Sequence, residues 1–258
     1  MTISENLRIA EECFLKGVDF FEQGKYDLAE KYYLQAIEEG NIEAAMYNLG
    51  ILYHHQGKCN LAEDYYLQAV KKGYVSAMCM LGQLYAEQEK YDLAERYWLQ
   101  AVEKGEVNAV YNLGRLYNLK QKYDLAEKYY LQAIEKGHTN AKHNLGILYD
   151  EQGKYNLAEK YFLQEAEEGK VDAIYSLGLS YYNQKKYDLA ERYWLQAVEK
   201  GQVNAMCNLG VLYDNQNKYG LAEKYFLQAI ERGHTNARHN LGLVYKKQGK
   251  NDLAKKYL

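Results

Sequence analysis

Proline is absent from the 258 residues, and phenylalanine and tryptophan are scarce, at 5 and 2. Average usage of about 5% would place roughly 13 prolines in a chain this long, so proline-rich linkers and proline-initiated turns are excluded. Cysteine is limited to Cys13, Cys59, Cys79 and Cys207, too few and too irregularly spaced for a disulfide framework or a zinc ligand set. These read as reduced, structural thiols. No window approaches the roughly 18 consecutive apolar residues of a membrane span, and Glu5, Glu11 and Glu12 stand where a signal peptide needs a basic flank. The expectation is a soluble, cytoplasmic chain without membrane contact. A net charge of -3 with interleaved Lys and Glu offers no basic stripe to a phosphate backbone and no polybasic patch to a lipid surface.

What is abundant is tyrosine, at 29 residues, in a chain that is 48% hydrophobic and can therefore bury a sizeable core. Each tyrosine joins an apolar ring to a polar tip. Their placement is periodic. The string Leu-Ala-Glu, or a close relative, recurs with its leucine at Leu28, Leu61, Leu93, Leu125, Leu157, Leu189, Leu221 and Leu253. Glycine follows the same register at Gly17, Gly50, Gly82, Gly114, Gly146, Gly178, Gly210 and Gly242, with an aromatic three residues later, as at Phe20, Tyr53 and Tyr85. The period is 32 residues, with one 33-residue step caused by an extra residue after Gly40. Fixed self-similarity of this length marks an array of repeats. A 96-residue period is superimposed: Tyr91 to Gly105 returns verbatim at Tyr187 to Gly201, and the stretch from Gly137 to Gly146 returns from Gly233 with one change. The two copies are expected to present similar surfaces.

Within a unit, Ala109, Val110, Leu113, Leu116 and Tyr117 have the three- and four-residue spacing of a helix with one buried face. Leu125, Ala126, Tyr129, Tyr130, Ala133 and Ile134 repeat it, so each unit is a pair of short helices. Turns such as Gln56-Gly57-Lys58 join the pair, and second helices end at Gly40, Gly73, Gly105, Gly137, Gly169, Gly201 and Gly233. Glycine there adopts the left-handed conformation that caps a helix C-terminus. Gly50 and its equivalents lie inside first helices, where glycine costs about 1 kcal/mol relative to alanine. A packing reason is implied: small residues at Gly50, Ala62 and Ala69 let the backbones approach while rings of the Tyr53 column fill the space beside them. Glu165 breaks the alanine column of Ala36, Ala69, Ala101, Ala133, Ala197 and Ala229. It is expected to shift or loosen its helix unless Ala166 takes over the contact.

The series Leu49-Gly50, Tyr53, Ala62, Tyr66 and Ala69 resembles the tetratricopeptide repeat, with the short Gly201-Gln202-Val203-Asn204-Ala205 type of link similar to Sel1-like repeats. The resemblance covers nearly the whole chain. It implies an all-α, right-handed α-solenoid of about eight repeats of 32–33 residues, forming a single repeat domain over 1–258 with an incomplete last repeat. It further implies that first helices line a concave groove that binds a protein or peptide ligand.

The family's groove positions fall two before, three before and one after the repeat glycine. The first set includes Asn48, Asn112, Asn144, Asn208 and Asn240, carboxamides that can both donate to and accept from the backbone of an extended peptide. Those asparagines can alternatively bond within their own unit. The second set includes Tyr47, Cys79, Tyr111, His143, Tyr175, Cys207 and His239, varied side chains suited to selectivity, and the third includes Arg115.

Catalytic signatures are missing: no nucleophile elbow, zinc-protease helix, dinucleotide fold or phosphate loop occurs, and Gly50-x6-Gly57-Lys58 has the wrong spacing. His54 and His55 are adjacent and diverge on a helix, while His138 and His234 read as solvated loop residues, so neither a metal site nor a cofactor is expected. The chain reads as a non-catalytic protein-interaction scaffold. A structural or self-assembling spacer, associating end to end through an uncapped C-terminus, is the alternative; single-stranded RNA binding would need a more basic groove than Arg115 provides.

Overall fold

The computed structural model describes residues 3–40 and 42–258, with side chains from residue 5 onward. Among the described residues there are sixteen helices and no strand. They fall into two compact units, 1–139 and 140–258. The first contains α1 (Ile3–Glu22), α2 (Tyr26–Gly40), α3 (Glu43–His55), α4 (Cys59–Lys71), α5 (Val75–Glu87), α6 (Tyr91–Glu103), α7 (Val107–Leu119) and α8 (Tyr123–Glu135). The second contains α9 (Ala141–Glu151), α10 (Tyr155–Glu167), α11 (Val171–Asn183), α12 (Tyr187–Glu199), α13 (Val203–Asn215), α14 (Tyr219–Glu231), α15 (Thr235–Lys247) and α16 (Asn251–Tyr257). Odd and even helices pair as hairpins, and within each unit the hairpins stack. No described helix is long and apolar enough to cross a membrane.

Most of these helices have 13 residues, a length that is marginal for an isolated helix in water. Packing must therefore hold them. Helix α7 buries Ala109, Val110, Leu113, Gly114, Leu116 and Tyr117, and α8 buries Ala126, Tyr130 and Ala133. The repeat glycine explains the close approach. A Cβ at Gly50, Gly114 or Gly210 would stand 2.5–2.6 Å from ring carbons of Tyr66, Tyr130 or Phe226 on the paired second helix. Rings from the second helix, and not those of the Tyr53 column, fill that space. This corrects the expectation from sequence, which had the right columns and the wrong partner.

The Tyr53 column bridges repeats instead. Its hydroxyls donate to the glutamate of Leu-Ala-Glu in the preceding repeat: Tyr53 to Glu30 at 2.9 Å, Tyr85 to Glu63 and Tyr117 to Glu95 at 2.7 Å. The second unit repeats this with Tyr181 to Glu159 at 2.6 Å, Tyr213 to Glu191 at 2.7 Å and Tyr245 to Glu223 at 2.8 Å. Burial, and then the adjacent carboxylate, raises the pKa of these phenols, so they remain donors. The lysine of each turn covers the same ring: Lys58, Lys90, Lys122, Lys154, Lys186, Lys218 and Lys250 lie 5.4–5.9 Å from the centroids. One tyrosine thus joins two helical hairpins and a turn.

Caps follow the expectation at six of the seven glycines. Gly73, Gly105, Gly137, Gly169, Gly201 and Gly233 have φ from +82° to +89°. At Gly105 the N–H donates to Val102 and the next N–H, of Glu106, to Ala101, closing the helix end. Gly40 departs from this pattern, because α2 continues through it and a Cβ there would lie 2.5 Å from that of Ala10. Its role is close packing against α1. Asn41, in the longer link that follows, lies outside the described residues.

Turns inside the hairpins carry a removable strain. Gly24, Gly57, Gly153 and Gly249 occupy the left-handed region at φ +70° to +73°, but Glu89, Gln121 and Lys185 hold the equivalent position at +55° to +61°. A side chain there costs about 1–2 kcal/mol, against about 0.5–1 kcal/mol of extra chain entropy lost by glycine. Glu89→Gly, Gln121→Gly and Lys185→Gly should each raise the unfolding free energy by about 0.5–1 kcal/mol, and sites this far apart should add. Urea melts of the three single variants and the triple variant check this; unchanged or lower midpoints would show that the turns are not strained.

The duplicated Gly-His-Thr-Asn stretch does not behave alike in its two places. In the later copy His234 caps α15, its Nδ1 accepting the N–H of Ala237 at 3.2 Å. In the earlier copy His138 stacks on Tyr111, with centroids 4.0 Å apart, and α9 starts only at Ala141. The residue in register with Tyr111 in the later copy is Cys207, which offers no ring. Hence neither histidine is a simply solvated loop residue, and burial lowers the pKa of His138.

Candidate functional site

First helices lie side by side within each unit, α1, α3, α5 and α7 in one, α9 beside α11 and α13 beside α15 in the other. Their outer faces carry the variable side chains. In the first unit Asn48 and Asn112 are half-buried, as are Tyr47 and Tyr111, while Gln83 and Arg115 are exposed. Tyr47 packs against Tyr74 with centroids 4.9 Å apart, and the Arg115 guanidinium lies 5.9 Å from the Tyr111 ring. At the end of α5, Glu87 accepts a hydrogen bond from Gln83 Nε2 at 3.0 Å and lies 2.6 Å from His54 Nε2 of α3. Burial opposes ionisation of Glu87, but these two partners hold its carboxyl below the usual range.

In the second unit Asn144, Asn208, Asn240, His143 and Tyr175 are half-buried and His239 is exposed. Four of the asparagines spend one end of the amide internally. Asn48 Nδ2 donates to Tyr33 Oη at 3.5 Å and Asn208 Nδ2 to Tyr175 Oη at 3.1 Å. Asn112 and Asn240 direct Nδ2 at Cys79 and Cys207 Sγ, at 3.7 and 3.9 Å. The two cysteines are buried, at 7% and 6% exposure, so they support the amides and do not offer a varied surface. Burial raises the pKa of both thiols, to about 12 for Cys79, which keeps them neutral. The Oδ1 atoms of these four asparagines accept no hydrogen bond from the described residues. On these four amides the carbonyl oxygens remain available as acceptors.

Glu165 proves to be matched by two partners, one from α9 and one from the link between α10 and α11. It is only 1% exposed, yet α10 runs unbroken over 13 residues, as the second helices α8 and α12 do, so the carboxylate does not break its helix. Lys170 Nζ stands 2.7 Å from Glu165 Oε1 and His143 Nδ1 3.0 Å from Oε2. Lys142 and Lys170 also meet Glu168, at 2.8 and 3.4 Å. His143 Nε2 then lies 3.4 Å from Ser176 Oγ. The series Ser176, His143, Glu165 has the order of a nucleophile relay, but Ser176 sits in the middle of α11 and Lys170 shares the carboxylate. Backbone N–H groups around Ser176 are spent in the helix, leaving no pair of donors for an oxyanion. The relay positions His143. Sequence reasoning placed His143 on this face but missed its link to Glu165, although a carboxylate in an alanine column was the available signal.

Among the described residues no group of three or more His, Cys, Asp or Glu could hold a metal ion. A tetratricopeptide repeat model matches residues 14–74, 79–141, 143–205 and 175–237, and a second tetratricopeptide repeat model matches 235–258. No curated protein matches the sequence. Among solved structures, a tetratricopeptide repeat protein from Parabacteroides merdae is 21% identical, with a TM-score of 0.69 over 92% of this chain and 99% of that one. A Sel1 repeat protein from Oxalobacter formigenes is 23% identical, with a TM-score of 0.64 over 89% and 98% of the respective chains. A protective antigen of uropathogenic Escherichia coli with an SLR fold is 22% identical, with a TM-score of 0.62; the match covers 92% of this chain but only 57% of the antigen. At these identities the likeness shows the α-solenoid fold alone. With repeat models covering nearly every helical hairpin in register with the glycine, alanine and aromatic columns, the chain belongs to the tetratricopeptide repeat family.

Proposed function

We propose that this protein is an interaction scaffold whose first-helix faces bind an extended segment of a partner protein. The observation that carries this reading is the half-spent amide: Asn48, Asn112, Asn208 and Asn240 turn Nδ2 inward and leave Oδ1 open on a face lined with rings. Oriented this way, each amide accepts a backbone N–H irrespective of the ligand's side chains. Such repeat arrays generally use stacked helical hairpins to present extended binding surfaces. Selectivity then comes from Tyr47, Tyr111 with Arg115, His143, Tyr175 and His239.

The test is selection of dodecapeptides from a displayed random library, followed by titration of the enriched peptides. Each amide bond contributes about 0.5–1.5 kcal/mol net, so Asn48→Ala with Asn112→Ala should weaken first-unit ligands about tenfold or more. Enrichment of no sequence, or affinity unchanged in the double variant, would overturn the reading.

A further inference from the structure

The column of rings over the repeat glycines contains one polar atom without a partner. Tyr33 Oη accepts from Asn48, Trp98 Nε1 donates to the Cys79 carbonyl at 3.0 Å, and Trp194 Nε1 donates to that of Tyr175 at 3.3 Å. Tyr66 is 0% exposed and its hydroxyl is buried with no hydrogen bond. A buried, unpaired hydroxyl is costly and calls for an explanation. Packing does not supply one, because Phe162 and Phe226 fill the same place without a hydroxyl.

The register identifies what is missing. Tyr33 is matched by Asn48 in the next repeat, and the residue that should match Tyr66 in the same way is Met80, whose thioether cannot donate. The gap in the amide column and the orphaned hydroxyl therefore coincide. Beside them Tyr47 lies 6.2 Å from the Tyr66 ring and 4.9 Å from Tyr74, forming an aromatic wall. Met80 is half-buried and unbranched, able to re-pack. The acidic groups that act on Tyr66 and Tyr47 are Glu87 and Glu106.

Building on the peptide-binding reading, we propose that the Met80 position is the anchoring subsite of the first unit. A peptide places an apolar side chain against Tyr47 and Tyr74, Met80 moves aside, and the peptide's own carbonyl accepts the Tyr66 hydroxyl. The negative charges of Glu87 and Glu106, which act on Tyr66 and Tyr47, favour a neighbouring lysine or arginine and disfavour an acidic residue.

The experiment uses the full chain and acetylated, amidated octapeptides with phenylalanine, leucine or glutamate at the centre, flanked by lysines. Phenylalanine- and leucine-centred peptides should bind, and glutamate-centred ones should not. Tyr66→Phe should lose about tenfold in affinity, the effect of one hydrogen bond, while its urea midpoint stays level or rises. A lowered midpoint for Tyr66→Phe, or its unchanged affinity, overturns the subsite. If Asn112→Ala still weakens those peptides, peptide binding by this face survives that result. Binding of none of the octapeptides to the unaltered chain overturns the subsite, whereas the library selection judges the broader reading separately.

Discussion

Lys170→Met should lower the unfolding free energy by about 3 kcal/mol, while Glu165→Ala should leave it unchanged or raise it. Removing one member of a buried ion pair strands the other, at about 3–5 kcal/mol, whereas replacing the buried charge with a group that packs is often neutral or favourable. Lys170 is 39% exposed, which places the expected loss at the lower end. Glu165→Ala restores the alanine of the other repeats, and the partners it releases, Lys170 and His143, both reach solvent. Acid gives a second reading. Burial opposes the charge on Glu165, but hydrogen bonds from His143 and Lys170 outweigh it and hold the carboxyl below its usual range. A depressed value means stability that is fully present above the unfolded carboxyl pKa of about 4.3 and lost as pH falls through the folded value. Relative to Glu165→Ala, the unaltered chain should therefore weaken only below about pH 4.3. Urea melts at pH 7 and pH 3 measure both effects; a Lys170→Met variant as stable as the parent would show that Glu165 does not rely on that lysine.

Gly114→Ala is expected to cost about 2–3 kcal/mol, although alanine is the better helix former by about 1 kcal/mol. The new methyl would stand 2.6 Å from Tyr130 Cδ1, in a space closed by the buried ring itself. Trimming that ring in the double variant Gly114→Ala, Tyr130→Val should recover part of the loss, with a coupling of about 1 kcal/mol or more. Gly220 is the control, since a Cβ there meets nothing within 4 Å and the residue lies in the exposed first turn of α14. Gly220→Ala should stabilise by up to about 1 kcal/mol. If both alanines stabilised, close packing would not be the reason for glycine in first helices.

These two pairs of variants also show where reading the sequence stops. The Gly114 column is legible as a close-packing position because its period matches that of the alanines. The ring that closes over it is not, since Tyr117 and Tyr130 follow the same period and are equally aromatic. Stacking separates them, sending Tyr130 to its own hairpin and Tyr117 to Glu95 of the preceding one. Glu165 is visible as an exception, but its partners His143 and Lys170 come from a neighbouring helix and from a link. Only the packed hairpins bring them together. The asparagines are likewise visible as a column, while the direction of each amide depends on whether a tyrosine hydroxyl or a thiol stands behind it.

Taken alone, the sequence determines the helical hairpin, its period, most of its glycine caps and the family, because these depend on spacings within one repeat. The tertiary structure decides which ring each glycine meets, which charges are buried as pairs, and which polar atoms of the first helices stay open. Those outcomes depend on contacts between residues far apart in the chain, where equivalent columns compete for the same space and only close packing selects among them.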